Sequence, residues 1–421
     1  MSFFAGLNAQ NRAGAPIAIP SVCSAQPDVL RATLLLCSQL QKPVLIEATS
    51  NQVNQFGGYT GMKPADFIAF VGKIGAKVGI DPALVHFGGD HLGPQVWRGE
   101  AADEAMARAE DLMRSYVAAG FTKIHLDCSE GCAGEPAQVR DEVSAERAAR
   151  LAAVCEEAAP DPTKLSYVIG TEVPPPGGAR AAEEGQGITP TDPTHARKTL
   201  DVHLAAFRAA GIEHAWSRII GLVVQPGLEF APTHIDHFDL SAPDNLLRAL
   251  SEDPHICFEA HSTDYQNPEV YPELARRHFS YLKVGPALTF AYRQALYGLD
   301  HLRFLLKKSD TSLIEQMDQL MMDRPKNWRK HYVGTDEELR LQRHFGYADR
   351  IRYYWPEEAA QSAVADLFSA LGSVCPPKPV LAQCFAPDVV SQAESVRSDG
   401  ESWADALVIA EIQKALRPYF F

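Results

Sequence analysis

The stretch LVHFGGDHLG, residues 84–93, begins as an apolar segment and ends with an acid and a histidine placed among three glycines. A short apolar run that is bounded by glycine and proline is typical of a buried β-strand. Asp90 and His91 stand where this strand ends. One interpretation of the glycine-rich end is a simple turn. The other is a functional site, because the C-terminal ends of the strands carry the chemistry of α/β barrels.

Seven further segments of this kind alternate with helical patterns up to about residue 300. They are PIAIPSVCS (16–24), PVLIEAT (43–49), KIHLDCS (123–129), SYVIGTEV (166–173), IIGLVVQPG (219–227), ICFEAHST (256–263) and FSYLKVGPAL (279–288). Eight strands that are each followed by a helix predict an α/β fold, a closed (β/α)8 TIM barrel. A doubly wound open sheet is the structural alternative.

The alternation of strands and helices stops near residue 300. We therefore predict a TIM-barrel domain over residues 1–300 and a helical C-terminal extension over residues 301–421, packed on the barrel. The extension contains an aromatic and basic stretch, RIRYYWP, at residues 350–356. We interpret its aromatic side chains as packing anchors.

Composition excludes several classes of function. The net charge of -14 argues against a nucleic-acid-binding surface. No stretch approaches the roughly 18 uninterrupted apolar residues of a membrane-spanning helix. The eight cysteines are scattered, which favours reduced thiols over a disulfide framework. We expect a cytoplasmic metabolic protein that binds neither nucleic acid nor membrane.

Polar residues collect at the predicted C-terminal ends of the strands. Each one alone has a simple explanation, such as a core histidine or a helix cap. A core does not gather charged groups without compensation, however, because buried charge is costly unless it is paired or bound to a metal. The residues are Ser24, Glu47, Asp90, His91, His125, Asp127, Glu172, Gln225, Glu259 and His261.

The adjacent pair Asp90 and His91 suggests two different roles. Consecutive strand residues point to opposite faces, but a kink at Gly89 or Gly93 would aim both side chains at one substrate. Histidines with carboxylates suit a divalent metal such as zinc. His91 would bind the metal and Asp90 would carry a proton. Metal polarisation of a sugar carbonyl with proton transfer is the chemistry of enolising aldolases and epimerases.

At these residues the chain resembles the class II, metal-dependent aldolase superfamily, and within it the GatZ/KbaZ family. That family is described as the non-catalytic subunit of D-tagatose-1,6-bisphosphate aldolase. The resemblance covers nearly the whole chain. It rests on IPSVCSAQPDVLRATL, FGGDHLGPQVW, IHLDCSEG, GTEVPPPGG, GLVVQPGLEF, FEAHSTDYQ and KVGPALTFAYRQAL.

The resemblance implies a set of site residues. Asp90 matches the proton-carrying aspartate of the superfamily, and His91 and His261 match two of its metal ligands. The strand-6 metal histidine is absent, so Gln225 or Glu172 would have to complete the site for zinc or manganese. The expected catalytic residues are Asp90, Asp127 and Glu172, the expected metal ligands His91, His261 and Gln225, and the expected substrate-binding residues Ser24, Glu47, Ser262 and Lys283.

The phosphate-binding motifs of class II aldolases are not matched. Their Gly-Gly-Ser-Gly stretch after strand 7 is replaced by residues 262–265, which contain no glycine and add the charge of Asp264. Their strand-8 asparagine motif is replaced by residues 285–287, in which Pro286 removes an N–H donor. We do not expect this chain to bind a bisphosphate in the aldolase manner.

Three functions are compatible with these features. The first is an accessory subunit that supports a separate class II aldolase catalytic subunit in tagatose, galactitol or amino-sugar catabolism. The second is an enzyme in its own right, a metal-dependent ketose or ketose-phosphate epimerase or aldolase. The third is a tagatose-6-phosphate kinase, a label that members of this family also carry, although no Gly-x-x-x-x-Gly-Lys-[Ser/Thr] phosphate loop is found. The ligand would be a sugar or sugar phosphate, and a homo-oligomer is possible in each case.

Overall fold

Eight parallel strands form a closed barrel in the computed structural model, which describes residues 2–171, 188–308, 311–397 and 401–421. The predicted TIM barrel is confirmed, and all eight predicted strand segments contain a barrel strand. The barrel strands are β1 (Ile19–Val22), β2 (Val44–Thr49), β3 (Val85–Leu92), β4 (Lys123–Leu126), β5 (Ser166–Ile169), β6 (Ile219–Val223), β9 (Cys257–Ala260) and β10 (Phe279–Val284). The sheet closes because β1 pairs with both β2 and β10.

Two short strands lie between β6 and β9. They are β7 (Glu229–Phe230) and β8 (Ile235–Asp236), which pair antiparallel in a separate two-stranded sheet. This small sheet brings Phe230 into the lining of the cavity at the C-terminal end of the barrel.

Helices surround the barrel in the order that the sequence predicts. The first eight are α1 (Phe3–Arg12), α2 (Pro27–Leu40), α3 (Pro64–Val78), α4 (Ala102–Ala119), α5 (Asp141–Ala158), α6 (Pro193–Ala209), α7 (Val270–Arg276) and α8 (Pro286–Leu305). Local signals define several starts. The side chain of Gln26 accepts the N–H of Val29 at the start of α2, and proline follows at the first helical position.

The C-terminal region is helical, as predicted. Its helices are α9 (Leu313–Asp323), α10 (Asp336–Phe345), α11 (Glu358–Leu371), α12 (Lys378–Leu381), α13 (Pro387–Val396) and α14 (Trp403–Leu416). α14 packs on α2 and α8, and Gln413 donates a hydrogen bond to the carbonyl of Ala32. A division at residue 300 falls inside α8, so one helix belongs to both parts and the two-domain division stays a prediction.

The barrel interior is apolar at its N-terminal end. Inward-pointing side chains there form one buried cluster, and α1 closes this end by inserting Phe4 and Leu7. Asn8 of α1 donates hydrogen bonds to the carbonyls of Ile220 and His255 at the N-terminal ends of β6 and β9. The barrel is therefore filled with apolar side chains at its N-terminal end, and the charged residues described below lie towards its C-terminal end.

No helix within the described ranges combines the length and the apolar character needed to cross a membrane. All eight cysteines carry free thiols, in agreement with the prediction from their spacing.

Candidate active site

The end of β3 is bent at His91. This residue has a φ of 47°, in the left-handed region that non-glycine residues rarely adopt, and the pairing of β3 with β4 shifts register between Gly89 and Leu92. The irregularity that brings Asp90 and His91 to one site thus begins at Gly89, one of the two predicted positions, and the left-handed residue within it is His91. Gly88 and Gly93 serve a different purpose. A Cβ at Gly88 would lie 2.5 Å from Glu47 Oε1, and one at Gly93 would overlap the carbonyl oxygen of Asp127.

A layer of charged side chains fills the barrel directly beneath this bend. Lys123 Nζ lies 2.8 Å from Glu47 Oε1 and 2.6 Å from Glu259 Oε2. Lys283 Nζ pairs with Glu47 and lies 2.7 Å from Asp90 Oδ1 and 3.4 Å from Glu259 Oε1. These five side chains come from five different strands and are all buried. Each ammonium group thereby offsets the cost of burying the carboxylates around it.

Three buried imidazoles stand above the charged layer, and each makes its closest side-chain contact with one carboxylate. The pairs are His91 Nδ1 with Asp127 Oδ2 at 2.8 Å, His125 Nδ1 with Asp90 Oδ1 at 2.9 Å, and His261 Nε2 with Glu259 Oε1 at 3.0 Å. The ring centres of the three histidines are 5.0–5.3 Å apart. A carboxylate that fixes the orientation of an imidazole in this way is typical of metal-binding histidines.

Neighbouring charges control the protonation of these groups. Burial alone would raise the pKa of Asp90, but His91 and Lys283 outweigh it and hold this pKa well below its ordinary value. Burial opposes the protonation of His91, yet Asp90 and Asp127 raise its pKa. Burial lowers the pKa of His261 to about 4 despite its contact with Glu259. At neutral pH, Asp90 is therefore a carboxylate and His261 a neutral imidazole with a lone pair free to bind a metal.

The site carries more negative than positive charge. Four buried carboxylates face two buried ammonium groups, an excess of two negative charges when the histidines are neutral. The carboxylates are Glu47, Asp90, Asp127 and Glu259, and the ammonium groups are Lys123 and Lys283. A bound cation, or in its absence the protonation of His91 that Asp90 and Asp127 favour, would offset this excess.

The donor atoms also fit a cation. Ligand atoms of Asp90, His125, Glu259 and His261 lie within 4.8 Å of one another, and His91 adjoins this group. His125 Nε2 is buried without a hydrogen-bond partner among the described residues, which is the state of a donor atom that a metal would satisfy. Nitrogen and carboxylate oxygen are ligands that zinc accepts, and their mixture also suits manganese.

A cavity opens above these groups at the C-terminal end of the barrel. Its lining includes five of the predicted site residues: Asp90, His91, His261, Ser262 and Lys283. Glu47 and Asp127 do not line it. Glu47 lies deeper, between the two lysines, and Asp127 holds His91 while it accepts hydrogen bonds from the backbone N–H and the hydroxyl of Ser129. Both act on the site through other residues.

The remaining predicted residues lie elsewhere. Ser24 lines an adjoining cavity, where its hydroxyl accepts the N–H of Gln26. Gln225 is half-buried, and its Oε1 accepts the N–H groups of Gly227 and Leu228, so the structure engages the predicted third ligand in a turn. Glu172 lies outside the described residues.

Asp264 explains why the phosphate motif of strand 8 is missing. Its Oδ1 accepts the N–H groups of Gly285 and Ala287 at the start of α8, at 3.0 and 2.7 Å. These are donors that a helix N-terminus could offer to a bound anion. Burial raises the pKa of Asp264 to about 6. The protein's own carboxylate thus fills this anion position.

Sequence reasoning missed several residues of the site. His125 and Glu259 were placed at the strand ends but without a role. Lys123 was not singled out, although it stands two residues before His125 and therefore on the same face of β4. Arg352 and its neighbour Tyr353 also line the cavity, and no local pattern indicates that the C-terminal region reaches the site.

The family described as D-tagatose-1,6-bisphosphate aldolase subunit GatZ/KbaZ-like matches residues 4–421. The chain belongs to the GatZ/KbaZ-like family. Its sequence is 49% identical over 381 residues to a protein of Agrobacterium fabrum (strain C58 / ATCC 33970) named D-tagatose 6-phosphate 4-epimerase, and the match covers 90% of this chain and 89% of that protein.

A solved structure is similar to this GatZ/KbaZ-like protein over nearly its full length. It is the crystal structure of a probable tagatose 6 phosphate kinase from Sinorhizobium meliloti 1021, with a TM-score of 0.85 and 45% sequence identity. The match covers 96% of this chain and 99% of that one. The relatives of the family therefore carry three different functional names, all connected with tagatose phosphates.

Proposed function

We propose that this protein is a metal-dependent ketose-phosphate 4-epimerase that acts on D-tagatose 6-phosphate. The observation that carries the proposal is the set of three imidazole–carboxylate pairs beside a cavity lined by Asp90 and Lys283. Burying charged groups is costly even when they are paired, so a scaffold would not need imidazole–carboxylate pairs beside an open cavity. The name of the Agrobacterium relative supports the substrate and the reaction.

The donor atoms fit a single divalent ion, because ligand atoms of Asp90, His125, Glu259 and His261 lie within 4.8 Å of one another. The ring of His91 adjoins this group, with its centre 5.0 Å from that of His261. We assign His125 and His261, with His91 beside them, as the histidines that would hold the ion. When bound, the ion supplies Lewis-acid polarisation of the ketose carbonyl.

Inversion at C4 can proceed by breaking and re-forming the C3–C4 bond. Asp90 accepts the proton of the C4 hydroxyl as the bond breaks, which leaves an aldehyde at C4 and an enediolate on the C1–C3 fragment. The ammonium of Lys283, 2.7 Å from Asp90, stabilises the negative charge. The aldehyde then turns its other face, the bond re-forms, and Asp90 returns the proton to the C4 oxygen. The sequence of steps consumes no oxidant and no second substrate.

The purified protein with added zinc or manganese tests this proposal. It should convert D-tagatose 6-phosphate to D-fructose 6-phosphate in the absence of ATP and of any partner, as followed by ¹³C NMR. Asp90→Asn should lower kcat by about 10²-fold or more, since it removes the proton acceptor. The exposed control Asp239→Asn should not change kcat.

An accessory role in an aldolase complex is the second candidate, supported by the family's description as an aldolase subunit. It would be favoured over the epimerase if the protein alone converted no ketose phosphate but raised the activity of a class II aldolase catalytic subunit. ATP-dependent phosphorylation of tagatose 6-phosphate would instead favour the kinase.

A further inference from the structure

The cavity lining carries charges of both signs. Asp90, Asp264 and Lys283 line it from the barrel strands and the loops that follow them. Arg352 and Tyr353 line it from the C-terminal helical region, and Tyr59 lines it from the connection between β2 and α3. A ketose phosphate also carries two kinds of group. Its carbonyl and hydroxyls can bind a cation, and its phosphate is a dianion. Charge complementarity would place the phosphate of such a ligand beside Arg352, and its carbonyl and hydroxyls beside the imidazole–carboxylate pairs.

Arg352 forms no salt bridge with the described residues, although the carboxylates of Asp264 and Asp349 lie near enough to interact with its charge. Its Nη1 donates to the carbonyls of Ala348 and Asp349, and its Nη2 donates to Tyr353 Oη at 3.0 Å. Within the described ranges, no carboxylate oxygen lies within 4.0 Å of its guanidinium nitrogens, and its Nε makes no hydrogen bond. A half-buried guanidinium with unused N–H groups at a cavity is suited to an anion, because its planar fork matches phosphate oxygens.

The surrounding contacts hold Arg352 in place. The segment that carries it begins at Asp349, whose Oδ1 accepts a hydrogen bond from Arg293 Nε of α8 at 2.9 Å, and both side chains are buried. Tyr265 donates to the carbonyl of Tyr347 at 2.7 Å. The guanidinium lies over the ring of Tyr353, 4.5 Å from its centre. A cation that is positioned before the ligand arrives loses little entropy on binding.

Tyr59 adds a second donor beside the guanidinium. Its ring packs edge-on against Tyr353 with centres 4.9 Å apart. Burial, with the proximity of Tyr353, raises the pKa of Tyr59 to about 12, so its hydroxyl keeps its proton at neutral pH. A neutral hydroxyl can donate to a phosphate oxygen without adding charge.

We propose that Arg352, assisted by Tyr59, binds the phosphate group of the substrate and makes this protein selective for phosphorylated ketoses. The proposal rests on the proposed function for the identity of the sugar, but not for the binding of phosphate. Two observations carry it together. Asp264 occupies the N-terminus of α8, where an anion could otherwise bind, and Arg352 offers N–H donors to the same cavity that no carboxylate of the described residues accepts.

The first experiment compares two substrates in the variant Arg352→Gln. The value of kcat/KM for D-tagatose 6-phosphate should fall by between about 10-fold and 10²-fold, as expected for the loss of charge-assisted hydrogen bonds. The value for unphosphorylated D-tagatose should stay within about 2-fold, and most of the loss should appear in KM. Arg352→Lys, which keeps the charge, should recover part of the loss. An equal loss on both ketoses would overturn the proposal and leave the epimerase function standing.

The second experiment separates the two proposals, because it needs no turnover. Inorganic phosphate is titrated calorimetrically into the wild type, Arg352→Gln, Arg352→Lys and the exposed control Arg340→Gln. Arg352→Gln should weaken phosphate binding at least 10-fold and the control should not change it, even if the wild type converts no ketose. Unchanged phosphate binding in Arg352→Gln would overturn the proposal. If Arg352→Gln fails to fold, the same comparison is made with Arg352→Lys. The proposal would then be contradicted if Arg352→Lys had the phosphate affinity and the substrate preference of the wild type.

Discussion

At the end of β3, two consecutive residues reach one site because the second of them is strained. His91 has a φ of 47°, a conformation that costs about 1–3 kcal/mol for a non-glycine residue and that clusters at functional sites. The backbone N–H of His91 donates to Asp90 Oδ1 at 3.0 Å, and its ring is held by Asp127. These contacts offset the strain and keep both side chains directed into the barrel.

Metal binding is the property that depends most directly on these residues. The double substitution His91→Ala with His261→Ala should abolish stoichiometric binding of zinc or manganese, because it removes both imidazoles that line the cavity. Metal content after dialysis against a metal-buffered solution, determined by mass spectrometry, measures the effect. The matched control replaces His234 and His301, which are exposed and distant from the group, and should keep the metal of the wild type. Retention of a full equivalent in the His91/His261 variant would show that the ion is held elsewhere.

The glycines of β3 decide whether this strand can lie against its neighbours. Gly88 faces Glu47 of β2, and Gly93 lies against the carbonyl oxygen of Asp127 just after β4. Neither needs a positive φ. Each is required because a side chain would occupy space that a neighbouring strand already fills.

Gly93→Ala should destabilise the protein by about 3 kcal/mol or more, because the added methyl group overlaps backbone atoms that cannot move independently. The free energy of unfolding is measured by urea denaturation of the full chain. Gly99→Ala is the matched control, since a Cβ at that position meets no atom within 4 Å and should change stability by less than about 0.5 kcal/mol. A Gly93→Ala protein as stable as the control would contradict the close approach of β3 to Asp127.

At the scale of the whole molecule, closure of the barrel brings charged residues that are distant in sequence into contact. Glu47, Lys123 and Glu259 belong to three strands and are separated by long stretches of chain. In the folded barrel the ammonium group of Lys123 contacts both carboxylates. None of them is exposed to water. The charges are compensated only when the sheet is closed, so closure of the barrel and assembly of the site are one event.

Lys123→Met should therefore destabilise the entire fold by about 3–5 kcal/mol, because it leaves buried carboxylates without their partner. Urea denaturation at neutral pH measures this loss. Lys73→Met on the exposed face of α3 is the control and should stay within about 0.5 kcal/mol of the wild type. If Lys123→Met lost less than about 1 kcal/mol, the charged layer would not need Lys123 for its compensation.

The sequence alone determined the strands and one end of the barrel. Apolar runs that end at glycine or proline are local signals, and they located all eight strands. The ends of these runs then placed Asp90, His91 and His261 at the C-terminal end of the barrel, whereas strand alternation alone would have pointed Asp90 and His91 to opposite faces. The resemblance to a known family added their expected chemistry.

Other features were decided by the tertiary structure. The pairing of Lys123 with Glu47 and Glu259 requires barrel closure, and the left-handed backbone of His91 depends on contacts from β4. Arg352 reaches the cavity only because the C-terminal helices fold back over the barrel, a path set by packing on α8 rather than by any motif. Local patterns in the sequence predict which residues of a strand point to each face of the sheet. Long-range packing decides which side chains from distant strands come into contact, and a single sequence carries no periodic signal for those contacts.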